Sequence, residues 1–246
     1  MLEICVDSIE SAIAAQRGGA QRIELCSALS EGGITPSTGL IALVRKKLRI
    51  GINVMIRPRG GDFCYSALEF DLMQQEIELA RAAGANGIVL GILKADGTVD
   101  VNRTRKLVKL AAPLPVTFHR AIDVTRNLPA ALEAIIDTGV VRVLTSGGAQ
   151  NVIAGMKMIA KLVAFGGGRI SIMPGSGVRP ENIVELARTT GAREFHGSAG
   201  NWTPGLMQYK KRSVRFNDVP NREFTRYRTD SEVVRRLAQA LKTLEK

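Results

Sequence analysis

From residue 2 to residue 198 the chain repeats one pattern. A short run alternates apolar side chains with others, a longer stretch carries apolar residues at helical spacing, and a glycine closes the unit. Eight runs read as strands, at 2–7, 22–26, 52–57, 87–93, 115–120, 141–146, 169–173 and 193–198. Their starts lie about 20–35 residues apart, the length of one strand–helix unit. Most follow a glycine flanked by small residues, as in Gly18-Gly19-Ala20, Ala83-Gly84-Ala85, Thr138-Gly139-Val140 and Thr190-Gly191-Ala192, where glycine is favoured just past a helix end. Stretch 8–16 is alanine-rich with Ser8 as its expected N-cap, and 66–83 spaces Leu68, Leu72, Ile77, Leu79 and Ala80 helically. Pro180-Glu181-Asn182 is expected to open a further helix with proline in its first turn, and 230–244 closes the chain. Eight such units in 246 residues predict an α/β protein, a single (β/α)8 barrel of the TIM type spanning 1–246. An open doubly wound sheet is the weaker alternative, because no unit is missing and no domain boundary is visible. Segment 201–229 breaks the rhythm. It is polar and basic, contains Pro204, Gly205 and Pro220, and is expected to be irregular: a lid, a subunit contact or a plain surface loop.

Strand side chains alternate faces. In a barrel whose apolar outer face meets helices, the chain's parity turns Glu3, Cys5 and Asp7 inward from the first strand and Glu24 and Cys26 from the second. Met55 and Arg57 follow from the third, Thr117 and His119 from the fifth, Ser171 and Met173 from the seventh, and Glu194, His196 and Ser198 from the eighth. Barrel interiors are normally filled by Val, Ile and Leu, so this wall is unusual. Paired carboxylates and guanidinium groups would make it a purely structural ionic core. Both histidines of the chain, however, fall on inward positions near strand ends, where barrels place active sites. Glu3, Glu24, Arg57 and His119 are therefore the candidate catalytic residues, able between them to supply acid–base and anion-binding chemistry.

Composition narrows the partners. Net charge is +11, but the charge is dispersed, and aromatic residues make up 4% of the chain, too few for a base-stacking platform, so no nucleic acid is expected. No apolar run approaches the roughly 20 residues of a membrane span. Residues 2–7 already read as a strand, so no signal peptide is expected there, and three cysteines, Cys5, Cys26 and Cys64, do not make a disulfide framework. A cytoplasmic protein without a membrane partner is expected, and a barrel with a basic tail suits a homodimer or a higher homo-oligomer. Turn composition adds candidate anion-binding groups. Arg59 stands in Arg57-Pro58-Arg59-Gly60-Gly61-Asp62 after the third strand. Gly175, Ser176 and Gly177 follow the seventh, and Gly197 and Ser198 the eighth, where barrels often hold phosphate. Tight turns alone would also call for these glycines.

The strings LEICVDS, RIELC, EGGITPS, MIRPRGGDFCYS, PVTFHRAID, RVLTSGG, IMPGSGV and EFHGSAG closely resemble the CutC family, called copper homeostasis proteins, over about the first 200 residues. The resemblance implies a cytoplasmic (β/α)8 barrel, in agreement with the periodicity. It also implies Cu(I) binding, with the family's paired cysteines falling on Cys5 and Cys26. Both are inward on adjacent strands whose backbones run about 4.8 Å apart, a spacing at which two thiolates can hold a soft ion. A buried cysteine is also a common small hydrophobe. Two functions stay open at this point. One is a copper-handling protein that needs the cysteines. The other is a barrel enzyme applying acid–base chemistry to a small anionic ligand, phosphorylated or carboxylated, in which Arg57 and Arg59 bind the anion. A scaffold role accounts for the tail but not for the polar interior.

Overall fold

The structure, a computed structural model, describes residues 1–211, 213–215 and 222–244. Eight parallel strands form one sheet: β1 (Leu2–Val6), β2 (Arg22–Leu25), β3 (Gly51–Met55), β4 (Gly87–Leu90), β5 (Val116–Phe118), β6 (Arg142–Thr145), β7 (Ser171–Pro174) and β8 (Phe195–Gly197). Ladders run in the order β7-β6-β5-β4-β3-β2-β1-β8. The sheet curls into a nearly closed barrel whose seam lies between β7 and β8. Its helices are α1 (Ile9–Gly18), α2 (Thr38–Lys47), α3 (Ala67–Ala82), α4 (Val101–Ala111), α5 (Leu128–Ile136), α6 (Val152–Gly166), α7 (Ile183–Thr190) and α8 (Ser231–Lys242).

Helix starts follow local chemistry. The Ser8 hydroxyl accepts from the Ser11 amide ahead of α1, and Ser66 and Glu69 form a reciprocal capping box on α3. The expectation for Pro180 is corrected, because α7 begins only at Ile183. Asn182 accepts from the Arg179 amide and donates to the Gly177 carbonyl, which folds Pro180 and Glu181 into a turn ahead of the helix.

Apolar residues separate into two clusters. The large one lies between sheet and helices and takes the outward strand positions, such as Leu2, Ile4, Val6, Ile23, Leu25, Ile52 and Val54. The small one sits inside the barrel and consists of Cys5, Cys26, Met55 and Val89, with Leu29 packed against it. Segment 201–229 is more regular than its composition predicts. Strands β9 (Gly200–Pro204) and β10 (Thr225–Thr229) pair antiparallel, and Trp202 packs edge-on to Tyr227 while Arg222 lies over its ring at 3.9 Å. The Thr229 amide donates to the Ser11 hydroxyl on α1, and Tyr227 donates to Ser198, so this arm is tied to the barrel rim. Positions 212 and 216–221 of the segment lie outside the described residues. Among the described residues no helix is long and apolar enough to cross a membrane.

Candidate functional site

The polar interior divides into a floor and a mouth. On the floor, at the N-terminal half of the strands, Glu3 receives three donors. Arg22 Nε and Asn53 Nδ2 (3.1 Å) reach Oε2, and His196 Nδ1 lies 2.8 Å from Oε1. Glu194 is served as fully. Arg22 Nη2 and Arg142 Nε donate to Oε2 at 2.7 Å each, and Ser171 donates to Oε1 at 2.8 Å. Arg142 Nη1 also reaches Thr117. Burial alone would raise the Glu3 carboxyl, but the hydrogen bond and charge of His196, with Arg22 behind them, hold it at about 2. Glu3 is thus the hub of a satisfied ionic layer below the mouth. Arg22, Asn53 and Arg142 were not singled out by sequence reasoning. Strand parity was the available signal, since each stands two residues before an inward position: Glu24, Met55 and Leu144.

The mouth is built differently. Cys5 and Cys26, from neighbouring strands, bring their sulfurs to 3.3 Å. Cys5, Glu24 and His196 each place one ligand atom within 4.8 Å of the others, and all three are buried. The hydrogen bond to Cys26 and burial push the Cys5 thiol well up. Cys26 is lowered by its bond with Cys5, but burial and the nearby carboxylates, Glu24 first, leave it raised overall. Burial raises Glu24 as well. For His196 burial works against the charge, yet the carboxylates of Glu24 and Glu3 and the Cys5 contact prevail, and the ring titrates well above 6.5. An imidazolium therefore sits between two carboxylates, donating Nδ1–H to Glu3 and facing Glu24 with Nε2 at 3.8 Å.

His119 follows β5 directly and caps a short 3-10 turn, its Nδ1 accepting from the Ala121 amide at 3.2 Å. Burial and the Arg57 charge push it down to about 3, so it is neutral. Glycine at position 91 makes its seat: a Cβ there would stand 2.5 Å from the imidazole Cε1. Phe63 packs against the ring at 5.0 Å.

Arg57 is inward and buried, and both terminal nitrogens of its guanidinium are occupied while Nε has no partner. Nη1 donates to the Glu31 and Gly33 carbonyls and Nη2 to Gly61, while Phe63 covers one face. It clamps the loops after β2 and β3. Arg59 is spent on Glu69, Asp62 and the Gly60 and Cys64 carbonyls, outside the mouth cavities. Asp123 accepts from Thr145, the Ser146 and Gly148 amides and Arg120, which fixes Arg120 over the mouth.

Two cavities open here and share Cys5, Arg120 and His196. The smaller, about 210 Å³, also borders Glu24, Met55, Phe63 and His119. The larger, about 750 Å³, runs under the loops after β7 and β8 and is lined by Ser176, Gly177, Arg179, Gly197 and Ser198. Gly175 lies beneath it, where a Cβ would strike Leu144 at 2.4 Å and crowd His196.

Comparison with known proteins agrees with this architecture. Residues 1–201 match the model of the CutC family. A CutC family protein of Chromobacterium violaceum is 49% identical over 241 residues, 98% of each chain. A human copper homeostasis protein cutC homolog is 46% identical over 87% of this chain and 78% of its own. A crystal structure of CutC from Streptococcus agalactiae superposes with a TM-score of 0.77 at 33% identity, covering 80% of this chain and 98% of that one.

Proposed function

The chain belongs to the CutC family, and from that premise we propose that it handles copper by holding Cu(I) between the thiolates of Cys5 and Cys26. The observation that carries the reading is the 3.3 Å approach of the two sulfurs inside the barrel, with a Glu24 oxygen and a His196 ring nitrogen within 4.8 Å of the Cys5 sulfur. Soft thiolates select Cu(I) over harder ions. The names of relatives, such as the human copper homeostasis protein cutC homolog, support the same cargo.

The chain's own groups define the chemistry. Both thiols are raised, so they are protonated at neutral pH until an ion displaces the protons, and uptake is expected to release protons. The imidazolium of His196 supplies positive charge next to Cys5 and is oriented by Glu3, the kind of outer partner that tunes a ligand set. Arg120 and Arg179 line the groove leading to Cys5 and give an anionic copper complex a favourable approach. The Gly175–Gly177 and Gly197–Ser198 loops, together with those arginines, form the anion-compatible part of the same proposal.

A competition titration against a chromogenic Cu(I) chelator tests it. Cys5→Ser/Cys26→Ser is expected to lose the tight site and the proton release that accompanies loading. Undiminished affinity in that variant would refute the assignment. Glu3→Gln is expected to keep the site but weaken it by about 10–100-fold, as loss of an outer-shell partner does.

A further inference from the structure

The cavity of about 210 Å³ holds more polar chemistry than two thiols require. Three buried side-chain atoms among its bordering residues, Glu24 Oε1, His119 Nε2 and Arg57 Nε, have no hydrogen-bond partner. Because His119 Nδ1 accepts the Ala121 N–H, the neutral ring carries its proton on Nε2 and is a donor there. An orphaned donor or acceptor costs about 1–3 kcal/mol, and native interiors rarely tolerate one without a reason. Here two donors and an acceptor belong to residues bordering the same space and stand unpaired.

Charge and shape define what pairs them. Arg120 borders the cavity, its Nε and Nη2 held by Asp123 and Ser146 and its side chain 42% exposed. Glu24 and Glu31 stand on the same wall. Arg57 and His196 also border the cavity, but the Arg57 terminal nitrogens are taken by the Glu31, Gly33 and Gly61 carbonyls and His196 Nδ1 by Glu3. Arg120 is the guanidinium left to a ligand, and beside Glu24 and Glu31 it suits a small monoanion better than a phosphate dianion. Met55, Phe63 and Leu144 supply apolar wall for a short carbon chain.

We infer that this cavity binds a short hydroxycarboxylate, its carboxylate received by Arg120 and the His119 Nε2–H and its hydroxyl donating to Glu24 Oε1. None of these three contacts uses a sulfur, and Glu24, which stands beside Cys5, is the group this inference shares with the copper reading.

The test uses the metal-free full chain and its Cys5→Ser/Cys26→Ser variant, titrated with glycolate, lactate, glycerate and 3-hydroxybutyrate. Propionate lacks the hydroxyl and 1,2-propanediol lacks the carboxylate. Calorimetry gives affinity, and long-range 1H–15N spectra of the imidazoles report on His119, one of two histidines in the chain. At least one hydroxycarboxylate is expected to bind both proteins equally, to shift His119 Nε2, and to exceed both truncated analogues about tenfold, the value of one hydrogen bond. Arg120→Gln, on a half-exposed side chain, is expected to weaken binding similarly. His119→Phe abolishes the imidazole contact, while His119→Gln, which restores a donor near Nε2, recovers it. The inference is overturned if no hydroxycarboxylate moves His119 Nε2. It is equally overturned if propionate binds as well as the best of them, or if Arg120→Gln binds undiminished. Loss of Cu(I) binding in the serine variant with hydroxycarboxylate binding intact separates the two sites.

Discussion

The floor and the mouth of this barrel are both lined with charge, yet they are built to opposite rules. On the floor every carboxylate oxygen of Glu3 and Glu194 has a donor, Arg22 ties the two together, and Arg142 adds a second guanidinium to Glu194. In the mouth, a few ångströms along the same strands, Glu24 Oε1 and His119 Nε2 are unpaired and two thiols press together. Buried charge is tolerated when paired and hydrogen-bonded. A fully connected network therefore points to architecture, and an incomplete one to a ligand. Residue type does not separate the two roles, because Glu3 and Glu24 lie on adjacent strands of the same wall. Partner count does.

The sharpest way to break this comparison is to unbalance the floor. Arg22→Met leaves Glu3 and Glu194 facing one another without their shared guanidinium. Removing one partner of a buried pair costs about 3–5 kcal/mol, and urea unfolding is expected to show that loss with an unchanged slope. A loss below about 1 kcal/mol would mean that the floor is no more structural than a surface pair.

A second prediction separates the layers by pH. The unfolded His119 imidazole takes up a proton near 6.5, whereas the folded ring, buried and beside Arg57, does so only near 3. Between those values the unfolded state binds more protons, so stability falls as pH falls, by up to about 1.4 kcal/mol per pH unit. Glu3 titrates near 4.5 when unfolded and near 2 when folded. Its contribution is complete above 4.5 and is lost as pH falls toward 2. His196, raised in the folded state, is charged in both states below 6.5 and adds no slope there; its contribution is lost only as pH rises. His119→Gln is therefore expected to flatten denaturant midpoints between pH 6.5 and 4.5 while leaving the steeper loss below 4.5. A slope in the upper window that survives the substitution would assign it to other groups.

How much of this was readable in the chain follows from the same contrast. Period-two alternation and glycine-punctuated helices predict the eight strands and the barrel because burial against helices imposes a face on each strand. Parity placed Glu3, Glu24, His119 and His196 inside but was silent on depth. Depth depends on stagger between strands, such as the alignment of Glu3 with both Arg22 and His196, which no single strand encodes. Arg57 was read as an anion binder because arginine suits one. Its use as a loop clamp depends, besides the nearby Gly61 carbonyl, on the Glu31 and Gly33 carbonyls about 25 residues away. Segment 201–229 was read as irregular from its prolines and charge. Pairing of β9 with β10 and contact with Ser11 and Ser198 override that local composition, as tertiary context often does.

The smallest expected effect supplies the control for the largest. Arg169 and Glu133 form a two-pronged ion pair at 2.7 and 2.9 Å, as close as Arg142 and Glu194 on the floor, but with side chains 45% and 44% exposed. Water screens this pair, and both ends stay solvated when it is broken. Arg169→Ala is expected to cost about 0–1 kcal/mol, most of it removable by added salt. Arg22→Met, with its partners at 0% and 15% side-chain exposure, is expected to be nearly insensitive to salt. The two variants share the chemistry of a lost guanidinium and differ in depth. Equal losses, or equal salt dependence, would show that burial is not what makes the floor of the barrel rigid, and the distinction between a structural floor and a ligand-ready mouth would then fail at its base.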